Sequence, residues 1–202
     1  MNAHQVTRDF EKAVAEYTGA PYCVAVNSCT NALLLALKWY RLHMTDRSYV
    51  RIPNRTYISV PQSAKHASFD VHFVHEEWKG NYRLWPTKVW DSARRFTSGM
   101  YRKGQMQCLS FHHSKILGDT QGGAILHDNA EADVWFRKAR FDGRTEGVHP
   151  KDDRFDMIGY HCMMSPDVAA RLLLKLSTLP LHNEDLPCSE YPDLSKVEAF
   201  NG

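Results

Sequence analysis

The sequence predicts an α/β protein in which a mostly parallel sheet lies between helices on both of its faces. Short apolar stretches typical of buried strands alternate along the chain with longer stretches that have helical periodicity. The chain has 202 residues, of which 43% are hydrophobic and 24% charged, an ordinary composition for one sizeable globular domain. Repeated strand–helix alternation of this kind indicates a parallel sheet covered by helices.

The first predicted elements are a helix with one apolar face and a strand that follows it after a turn. A helix is predicted for residues 7–17, where Phe10, Val14 and Tyr17 share one face. A Gly-Ala-Pro sequence ends this helix. The apolar residues 22–26 then predict a short buried strand.

The same alternation continues through the middle of the chain. The strongly apolar stretch after the first strand predicts a second helix, and later stretches repeat the pattern. The further predicted helices are residues 31–40, 58–67 and 129–141, and the further predicted strands are residues 49–52, 71–74, 88–90, 107–111 and 122–126.

The last helix is predicted for residues 165–179. Ser165 is expected to cap it, Pro166 suits its first turn, and a further proline stops it. The residues that follow include two more prolines and many polar side chains without a convincing period. We therefore predict one large domain over residues 1–180 and a C-terminal tail over residues 181–202.

Composition excludes several classes of function. A net charge of +2 is too small to indicate a nucleic-acid or membrane-surface partner. The five cysteines form no close pairs, which favours reduced thiols, and no His/Cys spacing suggests a metal site. The N-terminus lacks the features of a signal peptide, and no apolar run is long enough to span a bilayer. We expect a soluble, cytoplasmic protein.

A polar turn between the first strand and the second helix is a candidate anion site. Free backbone N–H groups and the dipole at a helix start attract phosphate, and the hydroxyls of Ser28 and Thr30 add donors. Capping turns of this kind are very common. Taken alone, this turn is better explained as a helix cap.

The loop after the strand at residues 107–111 is more informative. The strand delivers Ser110, a polar turn delivers Lys115, and two glycines lead into the next strand. A lone lysine is nearly always a surface charge, but a lysine held between two buried strands has a desolvated amine. Desolvation lowers the pKa of the amine and makes it a nucleophile.

A family resemblance rests on this loop and on other motifs in the same order. Ser-Phe-His-x-x-Lys at residues 110–115, followed by Gly-Gly-Ala-Ile at residues 122–125, resembles the Schiff-base lysine loop of the DegT-type (DegT/DnrJ/StrS) sugar-nucleotide aminotransferases. The other motifs that agree are Phe10-Glu11 with Tyr17-x-Gly19 and Val24 to Leu33, Pro53-x-x-Thr56-Tyr57, Trp90-Asp91-Ser92-Ala93, Arg137 to Gly143, and Ile158-Gly159-Tyr160 with Met164-Ser165.

The resemblance implies a fold-type I enzyme, with the three-layer large domain of that class, that uses pyridoxal 5'-phosphate. Lys115 would hold the cofactor as a Schiff base and act as acid and base, and Asp91 would keep the pyridine nitrogen protonated. Tyr57 would stack on the cofactor ring. Without the motif order, Asp91 is explained as a helix cap and Tyr57 as a core aromatic. The implied phosphate contacts are Ser110 and the turn Ser28, Cys29 and Thr30.

The chain departs from the family pattern at several positions. Cys29 stands where the family usually has glycine. Arg94 replaces a glutamine that contacts the cofactor's phenolic oxygen, and we expect the arginine still to donate a hydrogen bond to that oxygen. Gln121 replaces a glutamate. His161 replaces an asparagine that reaches the phosphate of the neighbouring subunit, and we expect the histidine to donate a hydrogen bond there. The match ends near residue 179, so we expect the family's smaller C-terminal domain to be reduced or missing.

The sequence thus favours an aminotransferase that passes nitrogen from a glutamate-like donor to a keto group, by resemblance on a nucleotide-linked sugar, in a homodimer with shared sites. Lys115 separates it from a dehydratase branch that has histidine there. A degenerate, cofactor-binding homologue with a regulatory role is the alternative. A hydrolase or dehydrogenase is disfavoured because the G-x-S-x-G and G-x-G-x-x-G motifs are absent.

Overall fold

The computed structural model of the chain describes residues 4–43 and 48–200. The helices in this part are α1 (Gln5–Thr18), α2 (Cys29–His43), α3 (Ser59–His66), α4 (Ala130–Ala139) and α5 (Pro166–Leu176). The strands are β1 (Tyr22–Val26), β2 (Tyr49–Pro53), β3 (Asp70–Val74), β4 (Tyr82–Arg83), β5 (Val89–Asp91), β6 (Met106–Ser110) and β7 (Gly123–His127). Short 3-10 turns lie at Pro150–Asp152, Leu194–Lys196 and Glu198–Phe200. No helix among these residues is long and apolar enough to cross a membrane.

The main sheet contains five strands in the order β1-β7-β6-β5-β4. Strand β7 runs antiparallel to both β1 and β6, whereas β5 and β6 are parallel and β4 is antiparallel to β5. Strands β2 and β3 form a separate parallel pair, and paired backbone hydrogen bonds between Arg51 and Trp85 join this pair to the chain just after β4. The predicted α/β class is confirmed, but the sheet is mixed rather than mostly parallel.

The mixed pairing follows from the connection between β6 and β7. Residues 111–122 form a loop without a helix, so the chain turns back beside β6 and β7 becomes antiparallel to it. Strand–helix alternation could not reveal this, because the loop contains Lys115 and not a crossover element. Strand β4 was missed because two residues are too few to show a period.

Helices cover both faces of the main sheet. Successive side chains of a strand point to opposite faces, and β1 shows this directly. Val24 and Val26 belong to the core formed with α2, α3 and α4, whereas Cys23 and Ala25 belong to the core formed with α1 and α5. The three-layer arrangement expected from the resemblance is therefore present.

The final helix differs in detail from the prediction. It ends at Leu176, three residues before the predicted end, although Leu179 still packs against the core beside α1 and α5. Ser165 occupies the N-cap position, but its hydroxyl contacts the carboxylate of Asp167 and not a backbone N–H. The chain then turns back along the molecule, where Leu194 is buried and its N–H donates to the carbonyl of Asn54 at 2.8 Å. The division at residue 180 stays a prediction.

Candidate active site

A cavity of about 350 Å³ lies at the carboxyl ends of β5 and β6, beside the start of α2. Because β5 and β6 are parallel, their last residues meet at the same edge of the sheet, which is where open α/β sheets bind ligands. Eight of the nine predicted site residues line this cavity: Ser28, Cys29, Thr30, Tyr57, Asp91, Arg94, Ser110 and Lys115.

His161 is the predicted site residue that does not line the cavity. Its side chain is exposed, and Nδ1 lies 3.0 Å from the carboxylate of Asp142. The predicted hydrogen bond into a neighbouring subunit's site stays a prediction.

The turn before α2 forms one end of the cavity. Ser28 Oγ accepts a hydrogen bond from the N–H of Asn31 at 3.2 Å, so the hydroxyl caps the helix as the simpler interpretation held. The first N–H groups of the helix have no acceptor within it and supply the capacity to bind an anion. Gly123 makes the turn's position possible, because a Cβ there would overlap the backbone of Ser28 and Cys29.

The other polar side chains at the α2 end of the cavity already have hydrogen-bond partners within the chain. Thr30 Oγ1 lies 2.8 Å from Ser59 Oγ, and Cys29 Sγ donates to the carbonyl of Cys108 at 3.6 Å. Burial raises the pKa of Cys29 well above its usual value, so the thiol stays protonated at neutral pH. Cys29 therefore contributes a neutral hydrogen-bond donor here, not a thiolate nucleophile.

Asp91 is the last residue of β5 and is almost fully buried. Oδ1 accepts a hydrogen bond from the N–H of Ala93 at 2.9 Å, and Oδ2 accepts one from the hydroxyl of Tyr82 at 3.0 Å. The Tyr82 oxygen also lies 2.5 Å from Thr56 Oγ1. Since Tyr82 uses its only proton on Asp91, the hydroxyl of Thr56 must donate to Tyr82.

This relay of hydroxyls affects the charge of Asp91. Burial raises the pKa of Asp91, while the N–H of Ala93 and the hydroxyl of Tyr82 oppose the increase by stabilising the ionised form. Burial also raises the pKa of Tyr82 well above its ordinary value, so the phenol keeps its proton. Tyr82 was missed by the sequence analysis, because β4 is too short to mark it as a site residue.

The loop that carries Lys115 is held at both of its ends. The N–H of Phe111 donates to Gly122 O, and the N–H of Asp119 donates to Phe111 O, both at 2.9 Å. The Asp119 carboxylate also accepts Arg171 Nε of α5 at 2.7 Å. These contacts fix the backbone on both sides of Lys115.

The side chain of Lys115 is half-buried in the cavity wall. Burial lowers the pKa of its amine, the charge of Arg94 lowers it further, and Asp91 opposes both effects. Within the ranges that the structure describes, Nζ has no hydrogen-bond or ion-pair partner. A desolvated, unpaired amine of this kind is suited to nucleophilic attack on a carbonyl group.

The C-terminal residues supply a wall that the sequence analysis did not predict. The segment of residues 181–191, called the strap below, places Ser189 and Tyr191 in the lining of the cavity. Arg55 Nη1 donates to the carbonyl of Tyr191 at 2.9 Å, and the ring of Tyr57 meets that of Tyr191 edge-on. A tail without periodicity gave no signal for this position.

Comparison with known proteins agrees with this geometry. Residues 2–90, less than half of the chain, match the model of the DegT/DnrJ/EryC1/StrS aminotransferase family, which confirms the resemblance for the motifs in that part. No curated protein matches the chain.

Solved structures show the same fold. DesV of S. venezuelae, solved with a ketimine intermediate, is 20% identical with a TM-score of 0.68, over 86% of this chain and 57% of that one. A DegT DnrJ EryC1 StrS aminotransferase from Brucella abortus is 19% identical with a TM-score of 0.69, over 86% and 58%. AtS13 from Actinomadura melliaura is 18% identical with a TM-score of 0.74, over 87% and 60%. The chain thus spans less than two thirds of the length of these proteins.

Proposed function

Starting from the match of its N-terminal part to the DegT/DnrJ/EryC1/StrS aminotransferases, we propose that this chain acts as a pyridoxal phosphate-dependent aminotransferase. The observation that carries the proposal is the meeting of Lys115, Asp91 and the start of α2 around one cavity. An amine, a buried carboxylate and a helix N-terminus are the three groups that this cofactor needs for attachment, electronic tuning and phosphate binding.

The residues present fit the cofactor. Lys115 would bond to its aldehyde carbon, Asp91 would hold the proton on its ring nitrogen, and the turn at Ser28 to Thr30 would take its phosphate with Ser110. Tyr57 lines the same cavity and would cover the ring face. When bound, the cofactor supplies an electron sink that stabilises negative charge on the substrate carbon.

Lys115 would have two roles. As the unprotonated amine it is the nucleophile, and burial together with Arg94 favours that form by lowering its pKa. Once free of the cofactor, Nζ would take a proton from the substrate carbon and return it at the adjacent position, as general acid and base.

Asp91 would act through charge. A carboxylate beside the ring nitrogen favours the protonated ring, and a protonated ring in turn keeps the carboxylate ionised. Tyr82 and Thr56 position Asp91 by the hydroxyl relay that ends on Oδ2. We regard Tyr82 as a positioning residue because it contacts the carboxylate and not the cavity.

The acceptor and assembly follow from the family. We propose a keto sugar linked to a nucleotide as acceptor, a glutamate-like amino donor, and a homodimer in which His161 reaches the neighbouring site. A cytoplasmic location is part of the same proposal.

An absorption experiment tests the proposal. Purified protein mixed with pyridoxal phosphate should develop a visible band, and the band should bleach when glutamate or another amino donor is added. Lys115→Ala should abolish the band, whereas the matched control Lys103→Ala, at an exposed lysine, should retain it. A band that persists in Lys115→Ala would contradict the assignment.

A second candidate is a cofactor-binding protein without turnover. It is favoured by Cys29 and Arg94, which replace the family's glycine and glutamine inside the cavity itself. A band that forms and does not respond to any amino donor or keto acceptor would support it over the aminotransferase.

A further inference from the structure

The strap is fixed to the body of the molecule beside Arg94. The N–H of Leu186 donates to the carbonyl of Arg94 at 2.9 Å, and the N–H of Gly80 donates to the carbonyl of Leu186 at 3.1 Å. The side chain of Asp185 accepts Arg95 Nε at 2.9 Å. These three contacts dock the strap beside Arg94.

The guanidinium of Arg94 is only partly used by the chain itself. Nη2 contacts Ser189 Oγ, and the guanidinium carbon lies 5.9 Å from the ring centre of Tyr191. Nε is buried and, in the described part of the chain, has no hydrogen-bond partner. An arginine carries five N–H donors, and the Nη1 of Arg94 has no hydrogen-bond partner among the described residues, so donors remain for a ligand oxygen.

The charges on the cavity wall favour an anionic ligand. Arg94 is a cation that lines the cavity. The nearby carboxylate of Asp91 already accepts hydrogen bonds from Ala93 and Tyr82. A guanidinium binds carboxylates through paired N–H groups, with more directional contacts than an ammonium group.

We propose that Arg94, positioned by Ser189 of the strap, binds the carboxylate of the amino-acid donor. The inference rests on the proposed function, because an amino acid that reacts at Lys115 brings a carboxylate one bond from the reacting carbon. Arg94 lines the same cavity as Lys115 and its charge acts on that amine. Five donors also leave room for the predicted contact with the phenolic oxygen.

Calorimetry with two small probes tests this assignment. Succinate is titrated into the full chain in the presence of excess pyridoxal phosphate, whose absorption is recorded in parallel, and succinamide serves as the uncharged control. Succinate should bind the wild type, and Arg94→Gln should weaken this binding by about tenfold or more, since a hydrogen-bonded charge pair is lost. Ser189→Ala should weaken it by a few-fold, because Arg94 is retained but less well positioned.

The matched control is Arg102→Gln, at an arginine outside the cavity that donates to backbone carbonyls. Its succinate affinity should equal that of the wild type, and succinamide should not respond to Arg94→Gln. Unchanged succinate affinity in Arg94→Gln, or no binding of succinate to the wild type, would overturn the inference.

The two proposals fail separately in this experiment. A cofactor band together with succinate binding that ignores Arg94 would leave the proposed function intact and remove this inference. Arg94-dependent succinate binding without a cofactor band would contradict the proposed function, and Arg94 would then be a carboxylate-binding residue with no role toward an amino donor. Thermal unfolding of each variant shows whether it has folded.

Discussion

Two clusters of charged residues in this molecule are built on opposite principles. Between α1 and α4, beside an open groove of about 870 Å³, Glu11 is buried and accepts Arg137 Nη1 at 2.8 Å, and its other oxygen contacts Arg140. Arg140 Nη2 in turn donates to Glu146 at 2.6 Å. In the smaller cavity at the ends of β5 and β6, by contrast, the Lys115 amine has no partner among the described residues.

This difference separates structural charges from charges that await a ligand. In the α1–α4 cluster, which consists of Glu11, Arg137, Arg140 and Glu146, each charged group contacts one of opposite sign. Such a cluster offers an incoming ligand little. In the cavity, the half-buried amine of Lys115 and the guanidinium of Arg94 form no ion pair with a described residue, and Arg94 donates a side-chain hydrogen bond only to the neutral hydroxyl of Ser189. Charges left without an ion pair are the arrangement expected of a binding site. The size of a concave surface is therefore a poorer guide to function here than the pairing of its charges.

The largest expected effect is a loss of stability when the buried carboxylate is removed from the α1–α4 cluster. Glu11→Ala removes the acceptor of the Ala25 N–H and the carboxylate that Arg137 and Arg140 share, although Asp133 and Glu146 still accept from the two guanidinium groups. Removing one partner of a buried ion pair costs about 3–5 kcal/mol, so the free energy of unfolding should fall by this amount in urea denaturation. The cofactor band of the folded variant should stay at the wild-type position.

The matched control for that variant is Glu16→Ala. Glu16 lies on the exposed face of the same helix, 3.9 Å from Lys12, and an exposed pair contributes about 1 kcal/mol or less. Equal losses of stability in Glu11→Ala and Glu16→Ala would show that the buried cluster has no special role.

The next largest effect is expected at Asp91, where turnover should fall and stability should change little. Asp91→Asn removes a buried carboxylate whose burial is costly, so the free energy of unfolding should change by about 1 kcal/mol or less. Turnover should fall by about 100-fold or more, because an amide does not hold the proton on the ring nitrogen. Steady-state kinetics and urea denaturation on the same sample measure the two quantities.

A large loss of stability in Asp91→Asn, with proportionate loss of activity, would contradict the distinction between the two clusters. In that case Asp91 would be a structural acceptor for Tyr82 and Ala93, as a helix-capping interpretation of its position held.

The sequence predicted more of the site than of its surroundings. Asp91 ends a strand, the turn at Ser28 opens a helix, and Lys115 lies in the loop that follows a strand, so the sheet brings these positions to one edge and the ordered motifs mark them. The α/β class followed from hydrophobic periodicity for the same local reason. Ser189 and Tyr191 could not be found, since the strap has no period and is held by contacts between residues about 90 positions apart, such as Arg95 with Asp185.

The direction of β7 was also beyond local reasoning. A strand is equally apolar in either direction, and only the length and content of the loop after β6 decide how it returns. Glu11 illustrates the converse case. It stands in a motif that supported the family resemblance, yet its contacts in the fold are structural.

The smallest and most specific effect is expected from Tyr82→Phe, which leaves both clusters intact and removes one hydroxyl. Because Tyr82 donates to Asp91 and thereby opposes the rise of its pKa, the variant should raise that pKa further. The acid limb of the pH–activity profile should then move to higher pH, since Asp91 must be ionised and more of it is protonated at a given pH. Activity at neutral pH should fall by about tenfold, the lower end of the effect of one hydrogen bond to a charged group. Thr56→Val, which breaks the relay one step earlier, should shift the profile in the same direction by a smaller amount. A pH–activity profile that is unchanged in both variants would mean that the two hydroxyls only fill space beside the carboxylate. The other residues around the cavity would then set the charge of Asp91 without them.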